Sequence, residues 1–423
     1  MSATRRLRVE ELDEAVRPRW LGLSIDWAAV TSVLVAALTT RLMIFASIYL
    51  SMATIPMRWG ELPYVSPGNL LLDGLVRHDS FWYMMIATQG YITGDATAGI
   101  QGNVAFFPLY PMLVRAAGGL VGDPALGGVL VANVALLALL GYLYALTRHE
   151  FDDATAARAV FYLAAAPTAV FFSALYTESV FLALTAATFY YARMGRWGGA
   201  AIAAGLASAT RNTGVLLSAV IAIEGCHQAG LFARPSGWRL PQLLAHLRTL
   251  RPKLWATMPA LIAAAWATVG LVSYMVFLGR TFGDPLAFIH VQAAWGRSAG
   301  PSGFTSVLGK TISELGMGNL ALGQINTKVV LDVAATLLFL PLTVAVAFRM
   351  RPAYGLYTVL TFLVPLSTGT TGSMTRYVLM LLPAFMLLAH WGRRPSVDRL
   401  VLVMFLPLMS YMAVLFAHWY FAG

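Results

Sequence analysis

The sequence predicts an all-α membrane protein with several transmembrane helices. Of its 423 residues, 58% are hydrophobic and only 11% are charged, whereas soluble domains carry about 25% charged residues. The mean hydropathy is +0.69, and the chain contains uncharged apolar runs close to the roughly 20 residues of helix that cross a bilayer. A soluble protein is therefore excluded.

Apolar helical runs, separated by charges or by Gly and Pro clusters, predict about eleven spans. They lie near 27–54, 125–147, 154–174, 177–194, 197–210, 213–226, 254–279, 327–348, 352–369, 376–391 and 398–420. The two runs around Arg211 are short, so 197–226 could instead be one tilted helix. Residues 27–423 are expected to form a single transmembrane domain.

The charge distribution predicts the sidedness of the chain. Residues 1–26 lack the short apolar stretch and cleavage site of a signal peptide, so we predict a cytosolic tail. The net charge is +10, and with eleven crossings 19 of the 29 basic residues lie on the inner side, as expected for a membrane protein. The charge thus reflects topology, and the expected surroundings are membrane lipids rather than nucleic acid. The excess of arginine over lysine and the abundance of alanine are typical of GC-rich bacterial genomes. The expected location is a bacterial plasma membrane.

Two long segments, 55–124 and 281–326, are predicted to lie on the outer face. In the first, Ser80 can cap a helix that ends at Gly90. A second short helix can begin at Pro108 or Pro111 and run to Gly118, and the aromatic content of both suits amphipathic helices in the membrane interface. Long outer segments beside short inner loops indicate a function at the outer surface.

Ionisable residues recur at the predicted outer ends of the spans. They are Arg77, His78 and Asp79 in RHDSFWY, Glu178 in ALYTES, Arg211 in SATRNTG, Asp284 in RTFGDP and Arg376 in STGTTGSMTRY. Charges at membrane depth are costly and are therefore candidates for function. If these ends converge, their arginines can hold a phosphate while a carboxylate activates a hydroxyl. Arg41, inside the first span, is expected to pair with an acid such as Asp332 or to reach a wet cavity.

Six motifs carry a resemblance to a known family. In chain order they are RHDSFWYMMIATQGY, FFPLYPMLVR, PTAVFFSALYTESVF, LASATRNTG, FGDPLAFIHVQAAW and SMTRYVLMLLPAF. Together, over residues 72–385, they resemble the PIG-V type mannosyltransferases of the GT-C class of membrane glycosyltransferases. The resemblance implies a GT-C type fold. It also implies transfer of a sugar, usually mannose, from a polyprenyl-phosphate donor to a lipid-linked or surface acceptor at the outer face.

The same resemblance implies that Asp79 is the catalytic base. The family usually has tryptophan before this aspartate, whereas this chain has His78, which could tune the pKa of Asp79 or contact the substrate. His78 could equally be an exposed loop residue. Asp79 could instead cap the helix that follows it, and Glu178 could cap the helix beginning near Thr177.

The remaining candidates also have two interpretations each. Arg211 and Arg376 are expected to bind the donor phosphate, although they could satisfy loop carbonyls or pair with a structural acid. Asp284, between glycine and proline, is a substrate-binding candidate or a turn former. Gln292 and Trp295 could contact a sugar by hydrogen bonding and ring stacking, or anchor the chain in the core or the interface.

The sequence therefore predicts an inverting glycosyltransferase that moves a hexose, with mannose favoured, from a polyprenyl-phosphate carrier. The chemistry requires no cofactor, because a lipid phosphate is already a fair leaving group, although a divalent metal ion could bridge Asp79 and the phosphate. Another polyprenyl-phosphate sugar remains an alternative. A lipid or solute transporter is the other alternative, but transporters tend to show repeated halves and polar residues near the midplane. This sequence shows no repeat, and its polar residues gather at helix ends.

Overall fold

Helices account for nearly all of the regular structure in the computed structural model of the chain. The model describes residues 19–20, 23–24, 26–56, 65–66, 68–94, 100–232, 240–295, 301–316, 327–367, 369 and 371–420. The helices are α1 (Trp27–Thr54), α2 (Leu70–Gly74), α3 (Ser80–Gln89), α4 (Leu109–Val121), α5 (Pro124–Glu150), α6 (Asp153–Ala164), α7 (Glu178–Arg193), α8 (Trp197–Ser208), α9 (Leu216–Gln228), α10 (Leu240–Trp266), α11 (Val269–Phe282), α12 (Ala287–His290), α13 (Pro301–Leu315), α14 (Thr327–Arg349), α15 (Pro352–Leu366), α16 (Met374–Tyr377), α17 (Leu382–Trp391) and α18 (Pro395–Ala417). The all-α prediction is confirmed.

Short 3₁₀ turns and one small strand pair complete the described elements. The 3₁₀ turns are Asn103–Ala105, Ala169–Phe172, Asn212–Val215, Val291–Trp295 and Val378–Met380. Two strands, β1 (Arg19–Trp20) and β2 (Leu23–Ser24), pair antiparallel just before α1. Most of the predicted tail, 1–26, lies outside the described residues.

Five helical stretches in the described chain are long and apolar enough to cross a membrane. They are Trp27–Thr54, Pro124–Glu150, Thr249–Phe282, Lys328–Arg349 and Pro395–Ala417. A sixth candidate is the pair Met374–Met380 and Leu382–Trp391, which is bent by 81°. The prediction of a multi-pass membrane protein is confirmed, but the predicted count of about eleven spans is not.

The difference in count has two sources: α7 and α15 are only 16 and 15 residues long, and other predicted spans are broken. The run predicted at 154–174 stops being helical at Ala164 and continues as a 3₁₀ turn. The run at 197–226 divides into α8 and α9, with Arg211 in the turn between them. Irregular backbone at membrane depth is tolerated where protein groups satisfy it or where it lines a cavity. The breaks therefore mark the part of the fold in which a polar site can form.

Arg41 satisfies the open backbone at the first of these breaks. Its side chain is buried, and Nη2 donates to the carbonyl oxygen of Ala164 at 2.8 Å. Nη1 donates to the carbonyl oxygen of Ala169 at 3.0 Å and to Ser173 Oγ at 3.1 Å. The predicted pairing of Arg41 with Asp332 is wrong. Arg41 instead donates to carbonyl oxygens that are left without helical partners where the helix ends. Arg41 thus stabilises the segment that leads to α7.

Replacement of Arg41 by alanine is expected to destabilise the protein by roughly 3 kcal/mol, because two buried carbonyls lose their donors. Thermal unfolding in detergent measures the loss. Thr39→Ala is the control on the same helix, since the Thr39 hydroxyl donates to Val35 O at an exposed position. A melting temperature for Arg41→Ala equal to that of the control would contradict the assigned role.

Helix packing brings the ends of distant segments together. Helix α5 packs against α4 and α7, and α1 packs against α6 and α18. Helix α14 packs against α15 and the short helix α16, while α17 packs against α6. The largest buried cluster joins residues from these helices. As a result, the turn before α3, the start of α7, the turn after α8 and α16 meet in one place.

Candidate active site

The turn that carries Asp79 is held from three sides. Arg77 is fully buried; its Nε donates to Ala417 O at 2.9 Å, and its guanidinium forms an ion pair with Asp73. The Tyr176 hydroxyl donates to Arg77 O at 3.2 Å and accepts from the Asp79 N–H at 3.1 Å. These contacts place the backbone of Asp79 between the end of α18 and the start of α7.

The Asp79 carboxylate faces an arginine rather than the helix that follows it. Asp79 occupies the N-cap position of α3, but its side chain makes no capping hydrogen bond. Its Oδ2 instead accepts from Arg376 Nη1 at 3.0 Å, with the Asp79 side chain 21% exposed. The alternative of a helix cap is therefore wrong. Ser80 is also not the cap, because α3 begins at Ser80 and its Oγ accepts from the Arg77 N–H at 3.2 Å.

Glu178, the first residue of α7, lies almost fully buried between two arginines. Its Oε1 accepts from Arg211 Nη1 at 2.7 Å and lies 3.6 Å from Arg376 Nε. Its Oε2 is buried and has no hydrogen-bond partner in the described part of the chain. The carboxylate is thus directed to the arginines, and one of its oxygens remains available for a further donor.

Arg211 reaches Glu178 from the turn between α8 and the 3₁₀ turn Asn212–Val215. Its Nη1 also donates to Thr177 Oγ1 at 3.2 Å. The turn is tight, because a Cβ on Gly214 would lie 2.5 Å from the backbone of Ala207. Glycine at this position therefore allows the close return of the chain that directs Arg211 towards α7.

Arg376 joins the two carboxylates. Its side chain is 7% exposed and contacts both Asp79 and Glu178. Its guanidinium also lies over the rings of Phe171, Tyr176 and Tyr377, at 5.4, 5.7 and 5.7 Å from their centroids. We call Asp79, Glu178, Arg211 and Arg376 the charge quartet. Two carboxylates and two guanidinium groups make its net charge zero, and its members come from four separate segments.

His78 lies beside the quartet and faces the end of α18. Its backbone has φ of 52°, a left-handed conformation that is uncommon outside glycine. The imidazole packs against the rings of Phe416 and Trp419 at 5.8 and 5.5 Å. Burial lowers the pKa of His78 to about 4, against an opposing effect of the Asp79 carboxylate. The imidazole is therefore neutral at neutral pH and is not an exposed loop residue.

The structure does not bring the other predicted residues to the quartet. Asp284 accepts from the Leu286 N–H at 2.9 Å and pairs with His290 at 2.7 Å in an exposed turn, which matches the turn-former alternative. Gln292 is half-buried, and its Nε2 lies 3.5 Å from Phe288 O. The side chain of Trp295 lies outside the described residues.

Sequence reasoning missed residues that shape the site without lying in the quartet. Tyr176 and Thr177 stand directly before Glu178 in ALYTES, and both contact quartet residues. The hydroxyl of Tyr83 lies 3.4 Å from Thr177 Oγ1. The signal for Tyr176 and Thr177 was their position next to a buried acid, since buried polar groups in a membrane protein require partners.

Comparison with known proteins agrees with the resemblance seen in the motifs. Residues 62–234 match the family model for mannosyltransferase (PIG-V). This range contains Asp79, Glu178 and Arg211 but ends before Arg376. No curated protein sequence matches the chain significantly.

The chain also matches solved structures at low sequence identity. The crystal structure of ArnT from Cupriavidus metallidurans bound to undecaprenyl phosphate has 16% identity and a TM-score of 0.50, with 88% of this chain and 62% of that chain covered. The apo oligosaccharyltransferase from Archaeoglobus fulgidus has 14% identity and a TM-score of 0.46, with 94% of this chain and 56% of that chain covered. This chain spans less than two thirds of the length of either structure.

The family match covers residues 62–234, and the similarity of fold extends over 88% of the chain. The family match covers three of the four quartet residues, and the fold places the fourth, Arg376, against Asp79. The predicted resemblance is thereby confirmed: over residues 62–234 the chain is similar to the PIG-V mannosyltransferases, and it has a GT-C type fold.

Proposed function

We propose that this chain is a membrane glycosyltransferase that transfers a hexose, with mannose as the favoured sugar, from a polyprenyl-phosphate donor to a lipid-linked or surface acceptor. The observation that carries the proposal is the contact of Asp79 with Arg376, 3.0 Å from Oδ2 to Nη1. This contact places a proton acceptor next to a phosphate-binding cation. A transferase that expels a lipid phosphate needs both groups at one centre.

The transfer is an inverting displacement at the anomeric carbon. The acceptor oxygen forms a bond to that carbon while the bond from the carbon to the phosphate oxygen breaks. Asp79 takes the acceptor proton, and the electron pair of the broken bond leaves on the phosphate. Charge develops on the leaving phosphate, so donors aimed at it stabilise the transition state. Arg376 and Arg211 are the donors that supply this stabilisation.

The neutral quartet also suggests the order of events. In the structure both arginines are paired with carboxylates. A donor phosphate that binds Arg376 replaces Asp79 as its partner, which releases Asp79 to accept a proton. Glu178 keeps Arg211 and Arg376 close to each other while this exchange takes place. Donor binding would therefore precede activation of the acceptor.

An apolar cavity of about 570 Å³ supports a lipid-linked donor. It is lined by Ile86 of α3, Pro108, Ala209, Trp266 and Phe277. Helix α3 begins directly after Asp79, and Ala209 stands two residues before Arg211. None of the quartet residues lines the cavity, but the cavity touches two of the segments that carry quartet residues. A structure of similar fold was solved bound to undecaprenyl phosphate, a lipid of this class.

The proposal places the quartet at the outer face of a bacterial plasma membrane. The predicted sidedness puts the 55–124 segment outside, and Asp79 belongs to this segment. No metal ion is required for departure of a phosphate already held by two arginines.

Incubation of the purified protein with labelled polyprenyl-phosphate mannose and a membrane lipid extract tests the proposal. We expect label to move into an acceptor lipid or glycan, and the product to be identifiable by mass spectrometry. Parallel reactions with the glucose- and arabinose-linked donors identify the sugar, and reactions with EDTA or Mg²⁺ test the role of a metal. Transfer from a nucleotide-linked sugar but not from the lipid-linked donor would overturn the proposal.

A further inference from the structure

Asp332 is a buried acid in the apolar helix α14, outside the charge quartet. Only 1% of the surface of Asp332 is exposed. A carboxylate at such a position is costly unless it is hydrogen-bonded or paired, and it is therefore a candidate for function. Its partners in the structure decide which function is possible.

The Asp332 carboxylate accepts three hydrogen bonds from one short segment. Oδ1 accepts from the Thr375 N–H at 2.9 Å and from the Thr375 hydroxyl at 2.7 Å. Oδ2 accepts from the Ser373 N–H at 3.0 Å. Both oxygens are thus bound to residues that stand at most three positions before Arg376. The carboxylate acts as a bracket around the start of α16.

The bracketed segment is in a conformation that needs support. Ser373 has φ of 70°, in the left-handed region that non-glycine residues rarely adopt. Such conformations persist where surrounding contacts over-determine them. The Arg376 N–H donates to Ser373 O at 3.0 Å, so the conformation of Ser373 directly sets the path of the backbone at Arg376.

A second contact ties the same segment to the α7 side of the site. The Thr168 hydroxyl donates to Thr375 O at 2.6 Å. Thr168 stands directly before the 3₁₀ turn Ala169–Phe172, which leads on to Tyr176 and Glu178. Thr375 is therefore held by Asp332 on one side and by Thr168 on the other. Arg376 follows it with little freedom to move away from the quartet.

We infer that Asp332 is a positioning residue: its carboxylate holds residues 373–375 in the turn that aims Arg376 at Asp79 and Glu178, and hence at the donor phosphate. The inference rests on the proposed function. It adds that the affinity of the site for a lipid phosphate depends on a residue that does not contact that phosphate. Positioning groups of this kind limit the misplacement that weakens binding and catalysis.

The test uses graded changes in the bracket. Asp332→Asn puts an amide NH₂ against at least one backbone N–H, and Thr375→Val removes only the hydroxyl contact. Thr375→Ser keeps that hydroxyl. Thr188→Val is the matched control, because the buried Thr188 hydroxyl donates to Leu184 O on α7, outside the bracket. Labelled polyprenyl phosphate is the probe for donor binding, and kcat, donor KM and acceptor KM are measured on the same preparations.

We expect Asp332→Asn to raise the donor KM and the Kd for polyprenyl phosphate at least tenfold, with an acceptor KM close to wild type. Thr375→Val is expected to raise the donor KM and the Kd for polyprenyl phosphate by a smaller factor. In Thr375→Ser and in Thr188→Val both constants are expected to stay at the wild-type values. If Asp332→Asn does not fold, the comparison of Thr375→Val with Thr375→Ser decides the matter. Equal donor constants in those two variants would then overturn the inference.

A double-mutant cycle separates positioning from general stabilisation. If Asp332 acts through Arg376, Asp332→Asn should change the Kd for polyprenyl phosphate by less than threefold in an Arg376→Ala background, because coupled residues are not additive. The same factor in both backgrounds would overturn the inference. Failure of the wild-type protein to bind polyprenyl phosphate would instead refute the proposed function, so the two failures are distinguishable.

Discussion

Asp79→Asn is expected to lower sugar transfer by a factor of about 10² to 10⁴, the usual contribution of a positioned general base. Asparagine has nearly the same size and can still accept a hydrogen bond from Arg376, but it cannot take the proton of the acceptor hydroxyl. Donor binding should persist, because the arginines remain. Turnover, binding of labelled polyprenyl phosphate and thermal stability are to be measured on one preparation.

The control for this change is Asp284→Asn. Asp284 lies in an exposed turn and pairs with His290, and asparagine forms such turns as well as aspartate does. We expect its turnover to stay near wild type. Wild-type turnover in a stable Asp79→Asn protein would remove Asp79 from the mechanism, and with it the chemistry that the family resemblance implies.

Arg376→Ala is expected to weaken donor binding by about two to four orders of magnitude and to slow turnover as well. Removing one partner of a buried charge pair costs about 3–5 kcal/mol, and every 1.4 kcal/mol is about tenfold in affinity. Arg376→Lys keeps the charge but loses the planar fork that contacts two carboxylates, so an intermediate loss is expected. Binding of labelled polyprenyl phosphate measures both variants.

Arg158→Ala controls for the loss of a half-buried arginine. Arg158 Nε donates to Ala389 O at 3.1 Å and Nη2 donates to Thr155 Oγ1 at 3.4 Å, and neither partner belongs to the quartet. We expect a change in melting temperature without a change in donor affinity. If Arg376→Ala binds donor and turns over like the wild type, Arg376 is structural and Arg211 becomes the main candidate for the phosphate.

The candidate site was predictable where local motifs carried the information. Asp79, Glu178, Arg211 and Arg376 each stood out as a charge at the end of an apolar run, where an unpaired charge is costly. Charges in such places need partners, so their convergence was a reasonable prediction. The same reasoning also selected Asp284, which the structure places in an exposed turn. A charged side chain at a helix end that is exposed to water does not need a partner in the protein. Sequence patterns do not distinguish such an exposed helix end from a buried one.

The choice of partners was not predictable from the sequence. Asp79 and Arg376 are 297 positions apart, and the contact between them depends on how α3, α7 and α16 pack. Asp332 was expected to meet Arg41, since both are charges in apolar runs. In the structure Arg41 binds the broken end of α6, and Asp332 binds residues 373–375. Arg41 donates to backbone carbonyls and Asp332 accepts from backbone N–H groups, and these backbone groups lack helical partners only because the helices are broken there.

By itself, the sequence determined that the chain is helical and embedded in a membrane, because apolar length and composition decide whether a backbone must satisfy its hydrogen bonds internally. It also determined which charged residues required an explanation. Only the tertiary structure decided where the apolar runs break, that Asp79 does not cap α3, and that Arg376 joins two carboxylates. An apolar run has the same composition whether its helix continues or stops. The stop is stable only because side chains from distant segments, such as Arg41 and Asp332, satisfy the exposed backbone groups.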